Sequence, residues 1–204
     1  MSEPDKDVSA AEFWEAAYRE SRDRWELGAA APPLDRALRE MPVPAAGRAI
    51  VFGSGRGHEA RAAAERGWSV VGVDFAESAR AEATRLTPVA LRDRIAWRTA
   101  DLFTLADTDA GAFDLVIEHT SYCAIDPARR PEWMRVARAV LRPGGTLLAL
   151  FYTHAREGGP PFGASHDEVL AALAPHFEVV RREVPADSIE RRRGDELLVW
   201  ASAR

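Results

Sequence analysis

The sequence predicts an α/β fold in which helices cover both faces of a mostly parallel seven-stranded sheet, with one antiparallel strand near the C-terminus. Short apolar runs alternate with helical segments along most of the chain, which is the order of strands and crossover helices in a parallel sheet. The first run, Arg48–Phe52, ends in the glycine-rich stretch Gly53-Ser-Gly-Arg-Gly57. The last two runs have no helix between them, so one of them is expected to run antiparallel.

The segment before the first strand is predicted to be helical. Ser9-Ala-Ala-Glu12 has the form of a capping box and opens a first helix, and Pro32-Pro33 suits the start of a second helix over Leu34–Glu40. A length of 204 residues suits one compact α/β unit. We therefore interpret residues 1–204 as a single domain in which residues 9–40 form an N-terminal helical cover.

The other elements are bounded by glycine, proline and acidic residues, which punctuate both strands and helices. The predicted strands are Arg48–Phe52, Trp68–Val73, Ile95–Arg98, Phe113–Glu118, Thr146–Tyr152, Phe177–Val184 and Glu196–Ala201. The predicted helices between them are Glu59–Glu65, Glu77–Leu86, Pro131–Leu141 and a helix to Leu173 that begins with the capping-box sequence Ser165-His-Asp-Glu168. The charged run Glu190–Arg193 is predicted to be a solvated hairpin tip.

Composition excludes several functional classes. The formal charge of −5 and the pI of about 5.6 do not favour binding to nucleic acid or to a membrane surface. The N-terminus has no signal-peptide pattern and no apolar run is long enough to span a bilayer, so we expect a cytoplasmic protein, with a monomer as the default. The single cysteine, Cys123, and the spacing of the five histidines predict neither a disulfide nor a metal site.

The glycines Gly53, Gly55 and Gly57 stand where an open α/β sheet binds its ligand, at the carboxyl end of the first strand. Glycine at this point permits a tight turn and a close approach of the backbone to a ligand, although the same residues can form a plain turn. Asp74 ends the second strand, where a carboxylate can accept hydrogen bonds from both hydroxyls of a ribose or cap the following helix. The combination predicts a ligand that contains adenosine.

The register of the glycines favours S-adenosylmethionine (SAM) over a dinucleotide. The dinucleotide fingerprint requires glycine at position 58, which is His58, and the chain has neither a phosphate-binding P-loop motif nor a Tyr-x-x-x-Lys pair. Asp101 follows the third strand, where it can accept from an adenine amino group or cap a loop. Residues 118–122 follow the fourth strand, at the methyl-transfer end of such a site. An NAD(P)-binding oxidoreductase and a non-catalytic SAM-binding protein remain the alternatives from other functional classes.

Three further segments resemble the thiopurine, halide and thiol methyltransferase family within the SAM-dependent methyltransferase superfamily. They are the tryptophan-rich N-terminal segment, Thr120-Ser-Tyr-Cys-Ala-Ile-Asp-Pro127 with Arg130, and Gly158-Gly-Pro-Pro-Phe162. The resemblance implies the Rossmann-like seven-stranded methyltransferase fold, SAM as cofactor with S-adenosylhomocysteine as product, and a small soft acceptor such as a thiol, a thiopurine, thiocyanate or a halide. A small-molecule O- or N-methyltransferase of the same fold is the alternative. The residues that it implies as cofactor contacts are Trp14, Tyr18, Trp25, Gly53, Asp74, Asp101, Leu102 and His119.

The acceptor chemistry directs attention to His119, Tyr122 and Arg130. A soft anion needs no general base, whereas a thiol with a pKa near ~8.5 benefits from one, and His119 or Tyr122 could serve. Arg130 matches a family arginine that lies near the acceptor; it could attract an anion or pair with Glu132. The aromatic residues of the N-terminal segment could close over the cofactor and favour its cationic sulfonium, or simply anchor the first helix. Ser121 stands where the plant members usually have an aromatic residue, which predicts a roomier acceptor pocket.

Overall fold

The computed structural model describes residues 7–204 and contains one seven-stranded sheet with the strand order β3-β2-β1-β4-β5-β7-β6. Strands β1 to β5 run parallel to one another, and β7 is antiparallel to both of its neighbours, β5 and β6. The predicted fold class is therefore confirmed, and the reversed strand lies second from the edge. The strands are β1 (Arg48–Phe52), β2 (Ser69–Asp74), β3 (Ile95–Thr99), β4 (Phe113–His119), β5 (Leu141–Tyr152), β6 (Phe177–Glu183) and β7 (Glu196–Ala203).

Helices pack on both faces of the sheet and create two apolar cores. Helices α2 and α3 cover one face around Trp68 and Leu148, and helices α7 and α8 cover the other around Phe52 and Phe151. The helices are α1 (Ala11–Arg19), α2 (Pro32–Glu40), α3 (His58–Glu65), α4 (Glu77–Leu86), α5 (Leu105–Thr108), α6 (Ser121–Ala124), α7 (Arg130–Val140) and α8 (His166–Leu173). Among residues 7–204, no helix has the length and apolar character to cross a membrane.

The two predicted capping boxes have different outcomes. At α8 the Ser165 side chain accepts from the Glu168 amide while the Glu168 carboxylate accepts from the Ser165 amide, so the motif forms as predicted. At α1 the prediction is wrong, because Ala10 is the N-cap and Ser9 instead donates to the Asp7 carboxylate. The nearby Asp7 carboxylate binds Ser9, so Ser9 does not cap the helix.

The fifth strand begins five residues earlier than predicted, at Leu141 instead of Thr146. Leu141 of β5 pairs with Phe113 of β4. The register between the two strands then shifts, so that the next pair is Thr146 with Leu115. Gly144 occupies the left-handed region with φ +73°, so the Pro-Gly-Gly sequence bends the strand instead of ending it. Residues downstream of this bulge carry β5 to the edge of the sheet where the site lies.

Candidate functional site

A cavity of about 430 Å³ opens at the carboxyl ends of the parallel strands, between the sheet and the N-terminal segment. Strand order reverses between β1 and β4, and the residues that follow these two strands, Gly53 and Thr120, both line the cavity. Thr120 has φ +68°, a conformation that is rare for a β-branched residue, and such conformations concentrate at functional sites. The cavity therefore occupies the crevice in which open α/β sheets bind ligands.

The three glycines after β1 have three different tasks. Gly53 lines the cavity with φ +57°, and a Cβ there would lie 2.9 Å from the Ser121 Cβ, so only glycine leaves this part of the crevice open. Gly55 lies outside the cavity lining and donates its amide to Asp74. Gly57 also lies outside the lining, at the N-cap of α3, where an added Cβ would overlap the indole of Trp97. The glycine run is thus one cavity-wall residue followed by two structural ones.

Asp74 presents a buried carboxylate to the cavity at the end of β2. Its Oδ2 accepts from the Gly55 amide at 2.8 Å and its Oδ1 accepts from the Ala76 amide at 2.9 Å. Burial raises the pKa of Asp74 to about 6, although both amide hydrogen bonds oppose the shift. Each oxygen retains a lone pair for a further donor, which matches the two hydroxyls of a ribose. The residue caps the following turn, as one of the two interpretations holds, and it also faces the cavity; its contact with a ribose stays a prediction.

Three aromatic rings of the N-terminal segment form one wall of the cavity. Trp25 makes edge-to-face contacts with Trp14, at a centroid distance of 5.5 Å, and with Tyr18, at 5.6 Å. The Trp14 Nε1 donates to the Val8 carbonyl at 2.9 Å, which fixes the ring at the start of the segment. The rings anchor α1 and enclose the cavity at the same time.

Asp101 and Leu102 line the cavity beyond β3. The Asp101 Oδ1 accepts from the Phe103 amide at 2.9 Å, so this carboxylate caps the short turn Leu102–Thr104 and keeps its second oxygen for another donor. The guanidinium of Arg129 stacks on Phe103 at 3.4 Å from the ring centroid. This end of the cavity therefore combines an apolar floor with a carboxylate oxygen.

The three residues predicted near the acceptor, His119, Tyr122 and Arg130, lie behind the cavity wall and not on it. Arg130 donates to the carbonyls of Phe162 and Gly163, both at 3.0 Å, and its guanidinium lies 4.9 Å from the centroid of the Tyr122 ring. Arg130 thus braces the loop whose prolines, Pro160 and Pro161, do line the cavity.

Arg192 lines the cavity instead, and sequence reasoning missed it. The prediction of a solvated tip over Glu190–Arg193 is wrong for Arg192, because Glu190–Arg192 forms a 3-10 turn in which Arg192 is only 4% exposed. The guanidinium lies 2.9 Å from the His119 Nε2, 3.4 Å from the Glu196 carboxylate and 3.3 Å from the Trp25 carbonyl oxygen. A run of three arginines carries no sequence signal for which one turns inward, since burial depends on partners more than 70 residues away, such as His119.

Known proteins match this chain over nearly its whole length. The family model for thiopurine S-methyltransferase (TPMT) matches residues 9–201. The chain belongs to the thiopurine S-methyltransferase family. It is 33% identical to thiocyanate methyltransferase 1 of Arabidopsis thaliana, over 91% of this chain and 82% of that protein. It is 24% identical to the thiopurine S-methyltransferase of Psychrobacter cryohalolentis, over 84% of this chain and 88% of that protein.

Solved structures agree with the fold of this thiopurine S-methyltransferase family member. The 1,6-didemethyltoxoflavin-N1-methyltransferase of Burkholderia thailandensis, solved with S-adenosylhomocysteine, superposes with a TM-score of 0.75 at 20% identity, over 96% of this chain and 87% of that one. The predicted family, the class of SAM-dependent methyltransferase and the use of SAM are therefore confirmed. The cavity suits this cofactor, since Gly53 keeps the crevice open beside the Asp74 carboxylate.

Glu118 gives this family member a buried carboxyl group next to the site. It accepts from the Ser121 hydroxyl and from the Tyr122 amide at 2.9 Å, and so caps helix α6, which carries cavity residues. Burial raises the pKa of Glu118 to about 7, against the opposing effect of these hydrogen bonds. The unfolded chain therefore releases this proton first as the pH rises from 4.5 towards 7, and the folded state loses stability over that interval.

The substitution Glu118→Gln should remove this loss of stability, because glutamine keeps the acceptor for Tyr122 and cannot ionise. We expect the variant to be more stable than the parent at pH 8, by roughly 1–3 kcal/mol. The difference should shrink at pH 5, where the parent Glu118 is protonated in the folded state. Urea denaturation at both pH values measures the difference, and an equal difference at pH 5 and pH 8 would show that the ionisation of Glu118 does not control it.

Proposed function

We propose that this enzyme transfers the methyl group of SAM to a small soft nucleophile, namely a thiol, thiocyanate or a halide, with thiopurine-like thiols included. One observation carries the proposal: a single cavity has a carboxylate, Asp74, at β2 and a buried cation, Arg192, on the β4 side. Strand β1 separates β2 from β4, so these two strands are about 10 Å apart at roughly 4.8 Å per strand. The first end suits a neutral sugar and the second suits an anion.

The residues on the β1, β2 and β3 side bind the cofactor. Asp74 accepts from the ribose hydroxyls, and the open oxygen of Asp101 accepts from the adenine amino group. Gly53 permits close approach in the crevice, and the rings of Trp14 and Trp25 close over the cofactor as part of the cover formed by residues 9–40. An aromatic wall excludes water and favours a cationic sulfonium. In this proposal Gly55 and Gly57 support the cradle from behind.

The residues on the β4 and β5 side bind and orient the acceptor. When bound, SAM supplies a methyl group that its sulfonium already activates. Arg192 holds an anionic acceptor by hydrogen bonds from the guanidinium donors that its protein contacts do not use. Tyr152, 5.0 Å from that guanidinium, and the prolines Pro160 and Pro161 confine the acceptor to one approach. A soft anion then needs no proton transfer, and the cation favours the thiolate form of a thiol.

Loss of the Arg192 cation should affect the acceptor more than the cofactor. For Arg192→Met we expect kcat/KM for thiocyanate to fall roughly 10- to 100-fold, since a hydrogen bond to a charged group contributes roughly 1.5–3 kcal/mol. The affinity for SAM, measured by calorimetry, should change far less. Arg193→Met removes an exposed neighbouring arginine and should leave both quantities unchanged. Equal losses in the two variants would remove Arg192 from the acceptor site.

The acceptor class is tested by a methylation screen with SAM. The panel contains iodide, bromide, thiocyanate, hydrosulfide, aromatic thiols and thiopurines, together with phenols and amines of similar size. We expect turnover with the soft nucleophiles. Turnover only with phenols or amines would refute the proposal and favour the O- or N-methyltransferase alternative. We further propose that the enzyme works as a cytoplasmic monomer, and sedimentation velocity tests the oligomeric state.

A further inference from the structure

Three buried side chains form a continuous chain of contacts behind the acceptor end of the cavity. The Glu59 Oε1 lies 2.8 Å from the His119 Nδ1, and the His119 Nε2 lies 2.9 Å from an Nη1 of Arg192. The exposures of Glu59, His119 and Arg192 are 7%, 8% and 4%. Of the three, only Arg192 reaches the cavity wall. The imidazole is thus held between a carboxylate and a guanidinium, with no direct contact to the cavity.

The donors and acceptors in this chain determine the tautomer of His119. A guanidinium has N–H donors and no acceptor, so the His119 Nε2 must accept from Arg192 through its lone pair. The His119 Nδ1 then carries the proton and donates it to the Glu59 carboxylate. A second proton on Nε2 would place two N–H groups against each other at 2.9 Å. The lone pair that a general base would need is therefore engaged by Arg192.

The chain of contacts also joins the acceptor end to the N-terminal cover. The Glu59 Oε1 accepts from the Ala31 amide at 3.1 Å, and Arg192 donates to the Trp25 carbonyl at 3.3 Å. The His119 imidazole and the Ala31 amide both donate to the Glu59 Oε1, and two N–H donors favour the ionised carboxylate over the neutral acid. The Glu59 carboxylate on α3 therefore fixes the position of both the His119 imidazole and Ala31, the N-cap of α2.

We propose that His119 is a positioning residue, which Glu59 orients so that it holds the Arg192 guanidinium in the acceptor wall. This inference rests on the proposed function and deepens it. It gives Glu59 and His119 the role of positioning Arg192 and gives His119 no role in acid–base catalysis. His119 then contributes equally to acceptors with and without a proton. A general base would contribute only to acceptors that must lose one.

Kinetics with two acceptors separate these roles. The variants are His119→Phe, which removes both contacts; His119→Gln, whose amide can accept from Arg192 and donate to Glu59; and His176→Phe as a control far from the cavity. For His119→Phe we expect kcat/KM to fall by about the same factor, roughly tenfold or more, for thiocyanate and for an alkyl thiol, with SAM affinity nearly unchanged. His119→Gln should recover part of the loss, and the control should match the parent.

A double variant shows whether His119 acts through Arg192. His119→Phe combined with Arg192→Met should be no more impaired than Arg192→Met alone, because the two residues serve one function. Multiplying losses would overturn the proposal. A loss confined to the thiol would also overturn it and would assign a base to His119. If the parent methylates neither acceptor, the proposed function fails instead.

The tautomer can be measured without any turnover. In protein labelled with 15N-histidine, we expect His119 at pH 7.5 to show the neutral form with the proton on Nδ1, and its signals to be assigned by their loss in His119→Phe. His119→Gln gives the same assignment if the phenylalanine variant does not fold. A proton on Nε2, whether in the neutral or the charged form, would contradict the contact with Arg192 and overturn the proposal.

Discussion

The substitution Asp74→Asn is expected to weaken SAM binding on the order of 100-fold. The two ribose hydroxyls would lose an ionised acceptor, and a hydrogen bond to a charged group contributes roughly 1.5–3 kcal/mol. An amide also presents N–H groups to one of the two backbone donors, Gly55 or Ala76, that now face a carboxylate oxygen. Calorimetry with SAM measures the loss, and thermal melting of the same samples verifies the fold. Asp107→Asn, at an exposed position outside the cavity lining, is the matched control and should bind SAM as the parent does.

The same carboxylate should make SAM binding depend on pH. Because the pKa of Asp74 is raised to about 6, the side chain takes up a proton below pH 6 and offers a weaker acceptor to the ribose. Affinity should therefore fall as the pH is lowered from 7 to 5, and Asp74→Asn should remove most of this dependence. No histidine lines the cavity in the described part of the chain, but Glu118, with a pKa raised to about 7, contacts the cavity residue Ser121, so the variant decides whether a midpoint near 6 belongs to Asp74. An unchanged pH profile in the variant would remove Asp74 from the binding of the ribose.

The substitution Gly57→Ala is expected to destabilise the protein by roughly 2–5 kcal/mol. Gly57 has φ +80°, in the left-handed region that costs other residues about 1–2 kcal/mol. Its added Cβ would overlap the Trp97 indole, and such overpacking costs typically about 1–3 kcal/mol more. The indole has little freedom to move, since its Nε1 donates to the Thr87 hydroxyl at 3.1 Å. Urea denaturation measures the free energy of unfolding.

Gly111→Ala separates the two contributions to the Gly57 result. Gly111 also has positive φ, at +64°, but nothing lies within 4 Å of the position of its added Cβ. The control should therefore lose only the conformational contribution. If both alanine variants lose the same stability, the contact with Trp97 contributes nothing, and the need for glycine at position 57 would not come from packing against β3.

The fold could be predicted because its signals are local. Each parallel strand from β1 to β4 is a short apolar run followed by glycine, aspartate or another polar residue, and the helices between them carry their own terminators. Local patterns fail where a side chain has a second hydrogen-bond partner. Ser9, for example, donates to Asp7 and does not cap α1. The bulge that extends β5 also required knowledge of its neighbour, since Leu141 belongs to the sheet through its pairing with Phe113.

The proposed cofactor end of the site could be predicted from the sequence for the same reason. Gly53 follows β1 and Asp74 is the last residue of β2, and these strands are adjacent in the sheet, so local strand prediction brings the two residues together. The proposed acceptor end could not be predicted in this way, because Arg192 comes from a turn after β6 and its contacts include Trp25 and His119, which are distant in the sequence. His119 could be identified as a histidine at the end of β4. Whether it acts as a base or as a positioning residue depends on its contact with Arg192, which the sequence did not indicate.

A crystal structure with S-adenosylhomocysteine and thiocyanate tests the central claim most directly, because the claim is that one cavity holds a sugar at Asp74 and an anion at Arg192. The account predicts both ribose hydroxyls within hydrogen-bond distance of the Asp74 carboxylate and the thiocyanate in contact with the Arg192 guanidinium, across the crevice between β1 and β4. Adenosine bound elsewhere, or thiocyanate bound at Arg130 with Arg192 unengaged, would contradict it.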